Sequence, residues 1–149
     1  MSQLPHITVA TVVERDGRFL MVQENSGGRL VYNQPAGHVE AGESLLEAAR
    51  RETLEETGWQ VEIQKFLGIY QYTSPENGIT YIRHCFIARA IEPRTELPLD
   101  ADIVQALWLT AQELGQHEAE MRSPLVLEVL RDYLKGVAYP LALIAASAR

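Results

Sequence analysis

Apolar and polar positions change period several times along the chain, and each change marks an element. β-Branched and apolar residues fill Ile7–Val13 and Phe19–Gln23, with Arg15-Asp16-Gly17-Arg18 between them, which predicts a β-hairpin. Glu24–Gly28 reads as a loop, Leu30-Val31-Tyr32 as a short strand, and Gln34-Pro35-Ala36-Gly37 as the turn that closes it. The first long helix begins at Ser44, an N-cap with Glu47 three residues on as its capping-box partner, and stops at Gly58, where a left-handed residue ends helices. Val61–Tyr72 and Ile79–Ala90 are β-rich and flank Ser74-Pro75-Glu76-Asn77-Gly78, so a second antiparallel pair is expected there. Pro93–Asp102 reads as a loop and Val104–Leu109 as a strand, and Thr110 with Glu113 caps a short helix. Ser123-Pro124 opens a last helix over about residues 124–135, Gly136 ends it, and the pattern assigns no element to the tail from Leu141 to Arg149.

Strands interleaved with three helices predict an α/β layered sandwich. Its 149 residues predict one domain spanning 1–149. A hydrophobic content of 46% with 22% charged residues excludes disordered, collagenous and coiled-coil classes. The single cysteine, Cys85, excludes an internal disulfide and fits a reducing, cytoplasmic compartment. Met1–Val13 has no basic leader and the uncharged run Gly136–Ala148 is too short to span a bilayer, so no membrane association is expected.

Thirteen basic against 20 acidic residues give a net charge of −7, which disfavours a nucleic-acid partner. Six acidic and two basic residues between Gly37 and Trp59 place −4 of that charge in one stretch. At about 100° per residue, Glu55 and Glu56 lie roughly 60° and 40° to either side of Glu52, on the arc that also carries Leu45, Ala48 and Ala49. The carboxylates therefore point the same way as the apolar stripe. Crowded anions raise one another's pKa, and a hard divalent cation, Mg²⁺ or Mn²⁺, removes that penalty. The competing reading is a solvated acidic face held by pairs such as Glu47 with Arg51.

Spacing decides between them. Gly37, Glu43, Arg51-Glu52, Glu55-Glu56 and Gly58, followed by apolar Trp59, resemble the signature box of the Nudix hydrolases at all seven fixed positions, over residues 37–59. Thr53 departs from the pattern, standing where a bulky aliphatic is usual. Gln34-Pro35-Ala36-Gly37-His38, Trp108-Leu109-Thr110-Ala111, Arg122-Ser123-Pro124-Leu125-Val126 and Tyr139-Pro140-Leu141 further resemble the NudJ-type phosphatases of that superfamily.

The resemblance implies a Nudix α/β/α sandwich with a mixed central sheet, the box forming loop, helix and loop. It implies metal-dependent hydrolysis of a small-molecule diphosphate, with terminal orthophosphate released from nucleoside di- and triphosphates or from a related pyrimidine diphosphate. Carried over position by position, Glu52, Glu55, Glu56 and the Gly37 carbonyl hold the metal, and Glu43 pairs with Arg51 to orient the helix. The proton of the attacking water goes to Glu55 or to Asp102 in the loop before Trp108. Pro75, sixteen residues after Trp59, resembles instead the ADP-ribose pyrophosphatases of the superfamily. Non-catalytic Nudix-fold binding modules generally lose carboxylates that are all present here.

Arg83 shares a strand face with Tyr81 and Cys85 and is a candidate for a substrate phosphate or for an edge-strand ion pair. Arg122, just before a helix start, is a second candidate anion contact. Asn33 and Gln34 are placed to read a base edge, and Tyr32, Tyr70, Tyr72 or Tyr81 to stack on one. Cys85 is expected to be buried, and His6, His38 and His84 show no metal-ligand spacing. The pattern leaves both a monomer and a homodimer open.

Overall fold

The computed structural model describes residues 4–147; the ends of the expected 1–149 unit, residues 1–3 and 148–149, lie outside the described residues. Seven strands, β1 (His6–Arg15), β2 (Arg18–Ser26), β3 (Arg29–Asn33), β4 (Ala36–His38), β5 (Trp59–Thr73), β6 (Thr80–Pro93) and β7 (Ile103–Thr110), form a mixed sheet. Three α-helices, α1 (Leu45–Thr57), α2 (Ala111–Gln116) and α3 (Leu125–Leu134), pack against it. This is the α/β sandwich with a mixed sheet that the sequence predicts.

β1 is the axis of the molecule. Along one side it runs parallel to β6, from His6 opposite Tyr81 to Val13 opposite Ala88. Along the other it pairs antiparallel with β4 and, at its end, with β2. β2 then leaves β1 to pair with β3 and β7, and β5 flanks β6. Successive β1 side chains alternate between the two faces. Val9 and Val13 join Ala48 and Ala49 of α1 in one core, while Ala10 and Val12 join Val126, Leu127 and Leu130 of α3 in the other.

Local chemistry sets the helix ends. Ser44 and Glu47 form a complete capping box, and Gly58, at φ 75°, adopts the left-handed conformation that glycine takes without steric cost. Thr110 and Glu113 cap α2 in the same way. The structure moves some expected boundaries. Ala36 and Gly37, expected in the turn Gln34–Gly37, belong with His38 to strand β4, because β1 offers an unpaired edge there. β2 continues to Ser26 through the expected loop, its extra residues paired with β3. The last helix starts at Leu125, with the Ser123 hydroxyl accepting from the Leu125 N–H at 3.2 Å. Leu141–Leu143 of the tail makes one 3₁₀ turn, and Tyr139 exchanges two backbone hydrogen bonds with Phe66 of β5. No helix among the described residues is long and apolar enough to cross a membrane.

Thr53 has a specific partner. Its hydroxyl donates to the Ala49 carbonyl at 2.7 Å, and the Thr11 hydroxyl, on the neighbouring strand, lies 2.8 Å from it. Thr53 has already spent its proton, so Thr11 is the donor of that pair. Both residues are fully buried, so a polar contact stands where α1 would otherwise pack an aliphatic side chain on β1.

Removing one partner leaves a buried hydroxyl without its bond. Thr53→Val should destabilise the protein by about 1–3 kcal/mol, whereas adding Thr11→Val should restore most of the loss, because two apolar groups of the same shape then face each other. Urea denaturation of both single variants and the double variant measures this; additive losses would show that the hydroxyls act independently.

Candidate active site

Helix α1 lies over β1 and β4 with Ala48, Ala49, Thr53 and Thr57 inward, and this orientation turns its acidic residues toward the end of β4. Gly37 lies beneath Glu52. A Cβ at residue 37 would overlap the Glu52 carboxylate, so only glycine lets strand and carboxylate approach this closely. The Glu56 carboxylate accepts the Ala36 N–H at 3.0 Å. The helix is thereby docked onto β4 through two of the three expected carboxylate ligands.

A third segment completes the cluster. The loop between β6 and β7 folds back on the end of α1: Arg94 N–H donates to the Gly58 carbonyl at 2.6 Å and Asp100 N–H to the Glu55 carbonyl at 3.1 Å. This brings Asp100 to the helix. Carboxylate oxygens of Glu52, Glu55 and Asp100 all lie within 4.8 Å of one another. Asp100 is a cluster member that the sequence does not single out, and Asp102, the candidate base from the same loop, lines the cavity beside it. The doublet Asp100-Ala101-Asp102 was the available signal, and nothing in the spacing separated its two carboxylates.

Burial pushes the Glu52 carboxyl up to about 7, against the pull of Arg51, and the Glu56 carboxyl up to about 8. A hard oxygen-rich donor set of this kind, partly buried and mutually repelling, fits Mg²⁺ or Mn²⁺.

Arg51 is the countercharge. It grips Glu43 through two hydrogen bonds of 2.7 and 3.0 Å, donates to Glu55 at 3.0 Å and to the His38 carbonyl at 2.9 Å, and lies 3.2 Å from Glu52. The hydrogen bonds from Arg51 hold the Glu43 carboxyl below its usual range. Glu47 bonds Ser44 in the capping box and not Arg51, so the solvated-face reading of the helix does not hold.

The cluster opens on a cavity of about 490 Å³, lined among others by Glu24, Asn33, Gly37, His38, Glu52, Glu56, Tyr72, Tyr81, Arg83, Asp100, Asp102 and Arg122. Arg83 is buried and donates to Asn33 at 2.8 Å and to Gln34 at 3.4 Å. Asn33 in turn donates to Glu24 at 3.2 Å, and Gln34 to the Val126 carbonyl at 2.8 Å. Gln34 is absent from the cavity lining, a change from the expected base contact that follows from its amide being committed on both sides. Arg122 reaches the same Glu24 oxygen at 2.9 Å and keeps a side chain 44% exposed. Glu24, buried at the end of β2, was missed in the sequence because a strand carboxylate carries no spacing signal.

The raised carboxyls have a measurable consequence. A folded-state value above the ordinary 4.5 means that folding is favoured by protons, so stability is fully present below about pH 4.5 and is lost as pH rises through about 7 and 8. The melting temperature of metal-free protein should fall between pH 5 and pH 8, and Mg²⁺ should raise it far more at pH 8 than at pH 5. A Mg²⁺ effect equal at both pH values would separate the cation from these carboxylates.

Comparison with known proteins agrees with this geometry. The NUDIX domain family model matches residues 4–130. Phosphatase NudJ of Escherichia coli K12 is 42% identical over 140 residues, covering 94% of this chain and 90% of that protein. Among solved structures, a NUDIX hydrolase from Nitrosomonas europaea superposes with a TM-score of 0.94 at 39% identity, over 97% of this chain and 98% of that one. A second NUDIX hydrolase structure from the same organism shares the fold at a TM-score of 0.70 and 24% identity, over 91% of this chain and 73% of that one. These matches take in the strands, the acidic helix and the loop that delivers Asp100, and the chain therefore belongs to the NUDIX family and is a Nudix hydrolase.

Proposed function

We propose that this hydrolase removes terminal phosphate, as orthophosphate, from nucleoside di- and triphosphates or a related small diphosphate, with the unit 1–149 acting as one cytoplasmic domain. The observation that carries this reading is the carboxylate cluster of Glu52, Glu55 and Asp100 opening on a cavity that also presents Arg122. The similarity to a protein named a phosphatase supports release of phosphate over cleavage to two larger products.

Glu52, Glu55, Glu56 and the Gly37 carbonyl would hold Mg²⁺ or Mn²⁺ together with Asp100. Bound there, the cation supplies charge neutralisation at the phosphoryl oxygens and a more acidic water. The protein's own groups do the rest. Arg122, anchored by Glu24 yet half exposed, contacts a phosphate oxygen, and Arg83 acts behind it by fixing the Asn33 amide at the cavity wall. Glu55 accepts the water's proton: its side chain is 43% exposed, and its carboxylate belongs to the cluster and is held by Arg51. Glu43 and Arg51 touch no substrate and position the helix.

Anion-exchange chromatography of timed digests tests the reading. GTP should yield orthophosphate and GDP first, then GMP; pyrophosphate from GTP, or AMP and ribose 5-phosphate from ADP-ribose with GTP and GDP untouched, would reject it in favour of a pyrophosphohydrolase. Glu55→Gln should lower kcat by about 10²-fold or more, the usual contribution of a general base. Asp102→Asn should have the smaller effect, and the reverse order would move the base to Asp102. Asp100→Asn should raise the Mg²⁺ concentration for half-maximal rate by roughly 10–100-fold, the scale on which groups supporting a metal act.

A further inference from the structure

Two histidines 32 positions apart in the chain meet at one corner of the sheet. Thr8 of β1 lies opposite His38 of β4, so His6, two residues along β1 from Thr8, faces the same side of the sheet as His38 and sits diagonally across from it. Between them the Val39 N–H donates to the Ile7 carbonyl at 3.1 Å and fastens the two strands together. His6 Nδ1 and His38 Nε2 end 2.9 Å apart. Sequence spacing carries no trace of this pair, because strand register makes it. His84, opposite Val9 in the register, faces the other side of the sheet and stays apart.

Both rings are braced by a third. His6 stands opposite Tyr81 of β6 and packs edge-on against it with centroids 5.5 Å apart, and His38 meets the same ring at 6.4 Å. Asn77 donates to the Tyr81 hydroxyl at 3.1 Å and fixes that ring in turn. Strand alternation also separates the pair from the carboxylates. A Cβ at residue 37 would point at Glu52, so the side chain of residue 38 points away from α1.

Two facing imidazole nitrogens share either a proton or a cation. Metal–nitrogen bonds of about 2.0–2.1 Å set two donors about 2.9 Å apart when the angle at the metal is about 90°, whereas a tetrahedral angle needs about 3.3 Å. Nitrogen donors at right angles suit the tetragonal ions Cu²⁺ and Ni²⁺. The observed separation already matches, and the rings need only turn their lone pairs toward the ion.

We propose that His6 and His38 chelate a Cu²⁺ or Ni²⁺ ion through His6 Nδ1 and His38 Nε2, at a site separate from the carboxylate cluster. The ion replaces the proton shared between the two rings. That proton moves to the far nitrogen of the ring that carried it, so two neutral rings release none. His38 lines the cavity, and the ion's remaining positions are left to water at the cavity's edge. Donor chemistry sorts the metals: a hard cation goes to the carboxylate oxygens, and Cu²⁺ or Ni²⁺ to the imidazole nitrogens.

Titration of the full chain with Cu²⁺ in saturating Mg²⁺, followed by calorimetry and electron paramagnetic resonance, tests the site. One Cu²⁺ should bind with hyperfine coupling to two imidazole nitrogens, and Ni²⁺ should bind more weakly than Cu²⁺ at the same place. His6→Ala and His6→Phe, the second of which keeps a ring against Tyr81, should each weaken binding by about 10-fold or more and remove one nitrogen coupling, while His84→Ala should change neither. Coupling to fewer than two nitrogens in the wild type, displacement of Cu²⁺ by Mg²⁺, or unchanged affinity in both His6 variants overturns the site. Circular dichroism checks that the variants fold, and the wild-type spectrum decides the matter without them.

Discussion

Four carboxylates sharing one cation govern the arrangement of this site. Arg51 contacts Glu43, Glu52, Glu55 and, at 3.7 Å, Glu40, and also holds the His38 carbonyl. A guanidinium suits the task because its donors fork in one plane and it stays charged at any physiological pH. Without it, α1 would present its acidic face to a loop that carries Glu40 and Glu43, and the repulsion would oppose docking of the helix. The bidentate grip on Glu43 ties the loop before the helix to the middle of the helix, and the bond to His38 ties both to β4. Loop, helix and strand then meet at fixed distances, with Glu52 and Glu56 close enough to Gly37 and Ala36 to form one cluster.

The same logic appears on the far wall in reverse sign. Arg83 is buried among uncharged amides, with Glu24 reached only through Asn33. Arg122 holds Glu24 from the solvent side. Two cations and one carboxylate leave this wall with surplus positive charge, opposite a cluster with surplus negative charge. Under the proposed function, that polarity would orient a phosphate chain between the carboxylates and the arginines.

Much of this was legible in the sequence where a residue's role is local. Ser44 with Glu47, Gly58, and Thr110 with Glu113 announce the helix ends because capping is settled within four residues. The face shared by Glu52, Glu55 and Glu56 follows from helical geometry, and the pairing of Glu43 with Arg51 is what the resemblance to the Nudix box implies. What escaped is non-local. Ala36-Gly37 reads as the end of a turn until β1 offers it an edge. Asp100 is chosen over Asp102 by a backbone bond to the Glu55 carbonyl, 45 positions earlier in the chain. Gln34 looks free until the Val126 carbonyl arrives from 92 positions further along the chain. Thr53 looks like a packing defect until Thr11 supplies its partner.

The parallel pairing of β1 with β6 has a kinetic side. His6 meets Tyr81 only after 75 positions of chain have intervened, and β4, α1 and the first hairpin all lie within the loop so closed. Closing so long a loop costs entropy before its contacts return any stability, and chains dominated by such contacts cross their folding barrier slowly. Until β6 joins β1, the core beneath the acidic helix lacks Phe86 and Ala88. A nascent chain stopped short of β6 has the acidic residues of its helix without Asp100 and without the full sheet on which they cluster.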